Sequence, residues 1–303
     1  MTLWERIRVL PNSVLEDSAL TERSPCRRAK PHLSVLLVVA LASCLFLSGC
    51  SSAAPGKPPT GPGGSRESGG PLSTTGQPGC RHPADVLDLR DWKLTLPVGT
   101  DRKLTHPQEI HQPDLADYQL PPWFQTTADC TGVVFRAAVN APTTSGSHYP
   151  RSELREMTAG GSENASWSST SGTHTMTVTE AFTSLPQGKP HLVGAQIHDA
   201  ADDITVFRLE GSNLYVTDGD DPHFKLITDQ YVLGTKFEAK FVVSGGVVQA
   251  FYNGQLQATL AKNFSDAYFK AGAYTQANCE RATPCSPDNY GETAIYQLAV
   301  THT

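Results

Sequence analysis

Apolar and polar residues alternate with a period of two along much of this chain, and glycine or asparagine turns separate the alternating runs. Residues 237–243 alternate, Ser244-Gly245-Gly246 forms a turn signal, and residues 248–252 alternate again. The dipeptide Asn253-Gly254, which favours a two-residue hairpin, then leads into residues 255–260. Alternate side chains of a strand lie on the same face of a sheet. The pattern therefore predicts short antiparallel strands in an all-β sandwich or jelly roll.

The composition fits a folded protein that does not bind nucleic acid. Hydrophobic residues make up 39% of the 303 residues, which is enough for a sizeable core. The 25 glycines and 22 prolines suit a turn-rich β fold better than a helical bundle. The formal net charge is −6, whereas a general nucleic-acid binder normally carries an excess of basic residues. We therefore expect no nucleic-acid partner.

The first 49 residues have the pattern of an export signal. Basic residues occur up to Lys30, and residues 33–49 are uncharged and rich in Leu, Val and Ala. A basic stretch followed by an apolar run and small residues is typical of a secretory signal. The run ends in Leu47-Ser48-Gly49-Cys50, which resembles the bacterial lipobox, whose cysteine is lipidated and becomes the first residue. We predict a lipoprotein signal peptide over residues 1–49; a transmembrane anchor or an ordinary cleaved signal is the alternative.

Residues 50–79 are predicted to be a flexible tether. Eight glycines and six prolines fall within residues 51–79, with hardly any large apolar side chain. Such a segment cannot bury enough surface to offset its ordering entropy. The protein would then lie at the extracellular face of the cell membrane, held by a lipid on Cys50, or be secreted. Residues 80–303 remain for one folded domain, which we expect to be a monomer.

Four cysteines lie in the predicted domain: Cys80, Cys130, Cys279 and Cys285. Export to an oxidising compartment permits disulfides. Cys279 and Cys285 lie close together in a proline-containing loop, so we expect them to pair, which leaves Cys80 to pair with Cys130. Four cysteines allow three connectivities, and free buried thiols are the alternative.

Three segments carry polar side chains on one face of a predicted strand. In each segment the intervening residues are small or apolar and occupy the opposite face. The polar faces consist of Arg151, Glu153 and Arg155; of Gln196 and His198; and of Tyr268, Lys270, Tyr274 and Gln276.

If these strands lie in one sheet, their polar faces form a cationic, hydrogen-bonding groove on an otherwise acidic protein. Such a groove suits an acidic polysaccharide, because arginine is the natural bidentate partner of a carboxylate. We expect Glu153, which lies between two arginines, to form an ion-pair network that fixes their orientation. The alternative is that each segment is the solvated face of an edge strand.

A resemblance to a known family appears at these residues. Arg-Ser-Glu-Leu-Arg at 151–155, Gln-Ile-His at 196–198 and Tyr-Phe-Lys-Ala-Gly-Ala-Tyr-Thr-Gln at 268–276 resemble, in the same order, the three signature blocks of polysaccharide lyase family 7, the alginate lyases. Asp-Trp-Lys-Leu-Thr-Leu-Pro at 91–97 is similar to the start of the family's domain. The resemblance implies a β-jelly roll whose concave sheet forms the substrate groove. It also implies cleavage of 1,4-linked polyuronate by β-elimination, with no metal and no cofactor.

The resemblance further implies roles for the polar residues. Arg151, Gln196 and His198 would flank the substrate carboxylate, and Tyr274 would lie at the leaving oxygen. His198 suits the base for one C5 epimer, because histidine titrates near working pH. Tyr274 would donate to O4 as the acid and, for the other epimer, act as both base and acid. The remaining residues are assigned to substrate binding: Arg155 and Lys270 to neighbouring carboxylates, and Tyr268, Gln276 and Glu153 to the groove itself.

Other functions fit parts of the pattern. A sugar-binding jelly roll needs the arginines and aromatic rings but not a histidine beside a tyrosine. A glycoside hydrolase needs two carboxylic acids across a cleft, and the three blocks contain only Glu153. Within the family, isoleucine at the position of Ile197 goes with guluronate-containing substrates, which favours polyguluronate or mixed blocks. A related polyuronate such as glucuronan is the alternative substrate.

Four loops carry further interpretations. Residues 141–150 and 278–289 each flank a signature segment and are rich in Ser, Thr, Pro or Gly. They are predicted to be lids over the groove or plain surface loops. Residues 199–203 and 218–221 hold clustered aspartates that resemble calcium loops, but Asp and Gly favour turns, which we expect here.

Overall fold

A computed structural model describes residues 79–99 and 106–303 of the chain. These residues belong to one of the two compact units into which the chain divides, the unit Pro71–Thr303. The predicted signal peptide, Cys50 and all but the last residue of the predicted tether lie outside the described residues. Those three assignments therefore stay predictions.

Sixteen β-strands make up most of the described residues. The helical elements in the described part of the chain are short 3-10 helices at Pro83–Asp85, Asp114–Asp117 and Ala159–Gly161. In this part of the chain no helix is long and apolar enough to cross a membrane. The strands are β1 (Trp92–Gly99), β2 (Pro107–Ile110), β3 (Phe124–Thr126), β4 (Val133–Ala138), β5 (Arg151–Thr158), β6 (Glu163–Asn164), β7 (Thr173–Ser184), β8 (His191–His198), β9 (Asp203–Glu210), β10 (Asn213–Asp218), β11 (Asp221–Thr228), β12 (Phe237–Ser244), β13 (Val247–Tyr252), β14 (Gln255–Ala261), β15 (Tyr268–Thr275) and β16 (Tyr290–His302).

The strands form two antiparallel sheets. The first, which we name the groove sheet, has the order β11-β10-β9-β8-β15-β5-β1-β2, with β6 beside β5. The second has the order β14-β13-β12-β7-β16-β4-β3. Several neighbours, such as β8 and β15, are far apart in the chain, which is typical of a jelly roll. The predicted all-β jelly roll is confirmed.

Side chains from the inner faces of both sheets form the main core. The period-two pattern supplies them: on β12, Phe237, Ala239, Phe241 and Val243 are buried, and the residues between them are partly exposed. The rings of Phe207, in the groove sheet, and Phe241, in the second sheet, lie 5.1 Å apart. Burying one such side chain contributes about 2 kcal/mol. Packing in the core therefore fixes the positions of the groove-sheet strands, whose outer face forms the groove.

Two turns of the backbone depend on particular residue types. The hairpin between β13 and β14 turns at Asn253 (φ 49°) and Gly254 (φ 76°), as this dipeptide predicts. In β15, Gly272 has a φ of 148°, and a Cβ there would lie 2.5 Å from the carbonyl oxygen of Ser152. The absence of a side chain at residue 272 lets β5 and β15 pair closely.

Both predicted disulfides are present. Cys80 bonds to Cys130, which joins the start of the described domain to the loop between β3 and β4. Cys279 bonds to Cys285 and closes a short ring within the loop between β15 and β16. The second disulfide therefore lies in one of the two loops interpreted as lids.

The two acidic segments form turns, as predicted. The Asp199 carboxylate accepts hydrogen bonds from the backbone N–H groups of Ala201 (2.7 Å) and Asp202 (3.0 Å), which closes the turn between β8 and β9. Gly219, with a φ of 55°, lies in the tight turn that joins β10 to β11. Asp199 thus stabilises the backbone of one hairpin, and a glycine turn forms the other.

Candidate active site

The three polar segments predicted from the sequence are neighbours in the groove sheet. Arg-Ser-Glu-Leu-Arg begins β5 and Gln-Ile-His ends β8. The third segment, except for Gln276 at its end, makes up β15, which lies between them. The prediction that their polar faces form one surface is therefore confirmed. The register pairs are Tyr274 with Arg151, Tyr268 with His198, and Lys270 with both Arg155 and Gln196.

These side chains line a groove with about 370 Å³ of space on the outer face of the groove sheet. Leu154, Ile197 and Phe269, which alternate with them, are fully buried in the core. The groove therefore follows the predicted polar face of each strand. Its lining includes Arg151, Arg155, Gln196, His198, Tyr268, Lys270 and Tyr274.

Glu153 lies beneath the groove at the centre of an ion-pair network. It is 1% exposed, and its carboxylate engages Arg151 (3.2 Å), Lys270 and the Gln196 amide. Burial alone would raise the pKa of Glu153, but the charges of Lys270 and Arg151 outweigh it and hold the pKa below its usual value. Burial lowers the pKa of Lys270 to about 8. An ionised and fully engaged carboxylate cannot serve as the acid of a glycoside hydrolase.

Two predictions about Glu153 need correction. The second cation that contacts Glu153 is Lys270, not Arg155. The reason is that β15, which carries Lys270, pairs directly with β5. Arg155 instead donates to the Asn164 side chain (2.7 Å), and its guanidinium carbon lies 3.9 Å from the centre of the Tyr268 ring. Glu153 is also absent from the lining of the groove, so it is not placed to contact a substrate there. It supports the site by holding the cations in place.

His198 lines the groove in a form that suits a base. Its Nδ1 lies 2.6 Å from the backbone carbonyl oxygen of Asp199 and 3.2 Å from the Tyr268 hydroxyl. A carbonyl only accepts, so Nδ1 carries the proton and Nε2 holds the lone pair of the neutral ring. Burial, and after it the charge of Lys270, hold the pKa of His198 below its usual value. The neutral imidazole is therefore the prevailing form near neutral pH.

Tyr274 lies at the point where the groove meets the loop between β4 and β5. Its hydroxyl oxygen lies 3.0 Å from the hydroxyl oxygen of Ser147. The Arg151 guanidinium carbon lies 3.9 Å from the centre of the Tyr274 ring, and the Lys270 nitrogen lies 5.8 Å from it. Tyr274 therefore lies beside two cationic side chains, Arg151 and Lys270.

The groove continues past Tyr274 into a second section with about 520 Å³ of space. Gln276 lies in this section, away from the other predicted binding residues. The basic side chains of this section, Lys189, Arg208 and Arg281, were not predicted from the sequence pattern. Arg208 is the polar residue of an alternating strand, and that pattern could have identified it. The other two lie in loops, where no periodicity marks them.

Arg208 is held in one orientation by three partners. It donates to Glu210 (2.5 Å), to the Gln276 side-chain oxygen (3.1 Å) and to Nδ1 of His191 (3.0 Å). Arginine only donates, so His191 accepts at Nδ1 and is neutral. Burial lowers the pKa of His191 to about 4, although Glu210 opposes the shift. The guanidinium is thus fixed in the second section.

Both loops interpreted as lids form part of the groove wall. Residues 144–147 of the first loop line the first section, and Arg281 of the second loop lines the second section. The loops also contact each other. The Asn278 side chain donates to the His148 carbonyl (3.2 Å), and Arg281 donates to the Tyr149 hydroxyl (3.3 Å). They are therefore more than plain surface loops.

Comparison with known proteins identifies the family. Residues 87–302 match the family model for alginate lyase. The chain is 62% identical to an alginate lyase from Corynebacterium sp. of known structure, with 74% of this chain and 99% of that chain covered and a TM-score of 0.72. It is 25% identical to the family 7 alginate lyase A1-II′, solved as a His→Asn and Tyr→Phe variant in complex with substrate (GGMG), with 74% and 98% covered and a TM-score of 0.62.

One curated relative matches a shorter stretch. An alginate lyase from Klebsiella pneumoniae is 37% identical over 76 residues, which are 25% of this chain and 24% of that relative. The match thus spans about a quarter of the relative's length. The family model, by contrast, covers nearly the whole jelly roll. The chain belongs to the alginate lyases, the family 7 polysaccharide lyases.

Proposed function

We propose that this chain cleaves alginate by β-elimination and releases oligouronates with an unsaturated end. The observation that carries the proposal is the shared groove of Arg151, Gln196, His198 and Tyr274, which three neighbouring strands bring together. Membership of the family supports the same reaction.

The first requirement of the reaction is to neutralise the substrate carboxylate. The proton on C5 lies beside the C6 carboxylate, and its removal places further negative charge on that group. Arg151 supplies a positive charge, and Gln196, which uses one amide N–H on Glu153, has a second N–H to donate. Arg151 and Lys270 together outweigh the single charge of Glu153. These three side chains together therefore carry a net positive charge beside the place proposed for the carboxylate.

The second requirement is a base for C5 and an acid for O4. For the epimer whose C5–H faces His198, its Nε2 takes the proton, the C4–O4 bond breaks, and a C4–C5 double bond forms. Tyr274 gives its proton to the departing O4. For the other epimer, Tyr274 acts as the phenolate: it takes the C5 proton, the C4–O4 bond breaks as the C4–C5 double bond forms, and Tyr274 passes the proton to O4, which regenerates the phenolate directly. In the first route, proton exchange with solvent resets both residues.

Basic residues on both sides of Tyr274 fit a polymer with a carboxylate on every ring. Arg155 lines the first section of the groove, and Lys189, Arg208 and Arg281 line the second. Arginine pairs well with carboxylates because of its planar fork of donors. A polyuronate laid along both sections would place its reacting bond at Tyr274.

We propose polyguluronate or mixed blocks as the preferred substrate. The support is the identity of Ile197, and the complex of the relative A1-II′ was solved with GGMG. Ile197 is fully buried. Its influence on preference would therefore act through the positions of Gln196 and His198, not through contact with the sugar.

The test is to incubate the purified chain with polyguluronate, polymannuronate and glucuronan in the presence of a chelator. The ultraviolet absorbance of the unsaturated uronate reports elimination. A rise establishes a lyase, and the ranking of initial rates identifies the substrate. Binding to alginate without any rise on the three polymers would indicate a sugar-binding jelly roll instead. The Tyr274→Phe variant serves as the matched inactive control.

We also propose that the protein is exported and held at the cell surface as a monomer by a lipid on Cys50. The Leu-Ser-Gly-Cys pattern supports this, as do the two disulfides, because disulfides persist in oxidising compartments. In a bacterial host, the wild-type chain should partition into the detergent phase and Cys50→Ser into the aqueous phase. Equal partition of both into the aqueous phase would indicate a secreted protein.

A further inference from the structure

Ser147 places its hydroxyl between Tyr274 and Arg151, at the edge of the groove. Its Oγ lies 3.0 Å from the Tyr274 Oη and 2.9 Å from an Arg151 Nη2. The same Oγ lies 3.2 Å from the backbone nitrogen of Tyr149 and 3.2 Å from the Tyr149 carbonyl oxygen. A loop residue outside the three signature blocks is thus in direct contact with the oxygen that transfers the proton in the proposed reaction.

The hydrogen-bonding capacity of Ser147 decides the direction of its bond to Tyr274. A hydroxyl has two acceptor lone pairs and one proton. The Arg151 guanidinium and the Tyr149 backbone N–H can only donate, so they occupy both lone pairs. Ser147 can then bond to Tyr274 only as the donor. Of its two acceptors, the Tyr274 oxygen at 3.0 Å is closer than the Tyr149 carbonyl at 3.2 Å.

This direction matters for proton transfer. If Tyr274 donated to Ser147, its proton would be held at the loop, away from a sugar in the groove. With Ser147 as the donor, the Tyr274 proton is free to reach O4. When that proton leaves, the oxygen becomes negative, and a hydrogen bond to a charged oxygen is stronger than one to a neutral oxygen. The contact therefore stabilises the product of the transfer more than its reactant.

The position of the Ser147 hydroxyl is well defined. Arg151, one of its donors, is itself bonded to Glu153 (3.2 Å). On the other side, the carbonyl of His148 accepts from the Asn278 side chain (3.2 Å), which ties this loop to the second loop. The hydroxyl is thus preorganised, so little conformational freedom is lost when the proton is transferred.

We infer that Ser147 is a positioning residue, which orients the Tyr274 hydroxyl and stabilises its oxygen once the proton has left. The inference deepens the proposed function and rests on it, because Ser147 has this role only if Tyr274 transfers a proton. The chemistry requires a hydroxyl at residue 147, and the shape of the side chain is secondary.

The experiment compares variants of the full chain on the polymer that the wild type cleaves fastest. In Ser147→Ala, kcat should fall about tenfold while KM stays within about twofold, since the lost bond acts after substrate binding. Ser147→Thr and Ser147→Val have the same shape and differ in the hydroxyl. The threonine variant should retain kcat to within about threefold and the valine variant should lose about tenfold.

Two controls separate this role from a structural one. Ser162→Ala removes an exposed hydroxyl that donates to the Ala159 carbonyl (3.0 Å) outside the groove, and should leave kcat unchanged. In a Tyr274→Phe background, Ser147→Ala should cause no further loss, because the acceptor oxygen is already absent. Thermal unfolding of every variant shows whether it is folded.

Several results would overturn the inference. The first two are an unchanged kcat in Ser147→Ala and equal rates for the threonine and valine variants. The third is a rise in KM, in place of the fall in kcat, in Ser147→Ala. The fourth is that Ser147→Ala lowers kcat equally in the wild-type and Tyr274→Phe backgrounds. In each case, elimination activity of the wild type would still support the proposed function. A folded wild type with no elimination activity on any of the three polymers overturns the proposed function and this inference with it.

Discussion

Arg151 and Tyr274 are register partners on adjacent strands, and the Arg151 guanidinium carbon lies 3.9 Å from the centre of the Tyr274 ring. A contact of this kind contributes about 0.5–2 kcal/mol. The same guanidinium donates to Glu153, which is buried beneath the groove. The orientation of the proposed acid therefore depends on an arginine that a carboxylate beneath the groove holds in place.

Tyr274→Phe tests the proton transfer with little disturbance of the fold. The variant loses only the hydroxyl, and the ring can keep its contact with Arg151. We expect kcat to fall at least about a hundredfold, the range of acid–base groups, while the thermal unfolding midpoint stays close to that of the wild type. Initial rates by ultraviolet absorbance measure the loss. Near-normal turnover would contradict the assignment.

The pH profile tests the role of His198. As a base, it must be neutral, so kcat/KM on the blocks that use it should rise with pH through the pKa of the free enzyme, with a midpoint below 6.5. His198→Ala should lower kcat on those blocks at least about a hundredfold. Lys270→Met removes a charge that lowers this pKa, so the midpoint should move to higher pH. The exposed Lys225→Met is the control. Equal midpoints in the wild type, Lys270→Met and Lys225→Met would show that Lys270 does not affect the pKa of His198.

Glu153→Gln tests the buried ion-pair network through stability. The variant leaves Arg151 and Lys270 buried without a counter-charge, so unfolding should become easier by roughly 3–5 kcal/mol near neutral pH. The folded-state pKa of Glu153 lies below the ordinary value of 4.5. Its contribution is therefore present above that pH and is lost as pH falls through the folded-state pKa.

Chemical denaturation at neutral and at acidic pH provides the comparison for Glu153→Gln. The difference from the wild type should narrow in acid. The exposed Glu163→Gln should match the wild type at both pH values. A Glu153→Gln variant as stable as the wild type at neutral pH would mean that the network adds no stability.

The buried Glu180 should give the stability a second pH dependence, opposite in sign to that of Glu153. Its side chain is fully buried in the core, its Oε1 lies 3.4 Å from the backbone nitrogen of Ala195, and burial raises its pKa to about 8. An unfolded glutamate ionises near 4.5, so stability should fall by a few kcal/mol as pH rises from about 4.5 to about 8. Glu180→Gln should flatten this slope in denaturation curves. An equal slope in both proteins would show that Glu180 is not its source.

Arg208→Ala tests the second section of the groove. The guanidinium is held in the second section by Glu210, Gln276 and His191. Its removal should raise KM for the polymer several-fold and change kcat little, because uniform binding affects KM. Steady-state kinetics on long and short substrates provide the measurement. The exposed Arg90→Ala is the control, and an unchanged KM in Arg208→Ala would place the polymer elsewhere.

Much of the site could be predicted because the face of a strand is a local property. Period-two spacing assigned Arg151, Gln196, His198 and Tyr274 to polar faces and Ile197 and Phe269 to the core, as the structure confirms. The Asn253-Gly254 hairpin and the Cys279–Cys285 pair were predictable for the same reason. Each depends on residues only a few positions apart.

The contacts between strands could not be predicted in this way. Whether Glu153 meets Lys270 or Arg155 depends on the register between β5 and β15, and that register is set by packing across the whole core. The basic residues Lys189 and Arg281 enter the groove from loops, which carry no periodic signal.

The residue pattern alone therefore settles which side chains are polar-faced, where hairpins turn and that the fold is all-β. Tertiary structure decides that β15 lies between β5 and β8, that Ser147 reaches the Tyr274 hydroxyl, and that the groove extends past it. The physical reason is distance along the chain. Strand faces follow from the geometry of neighbouring residues, whereas the site is assembled by pairing strands that the chain itself keeps far apart.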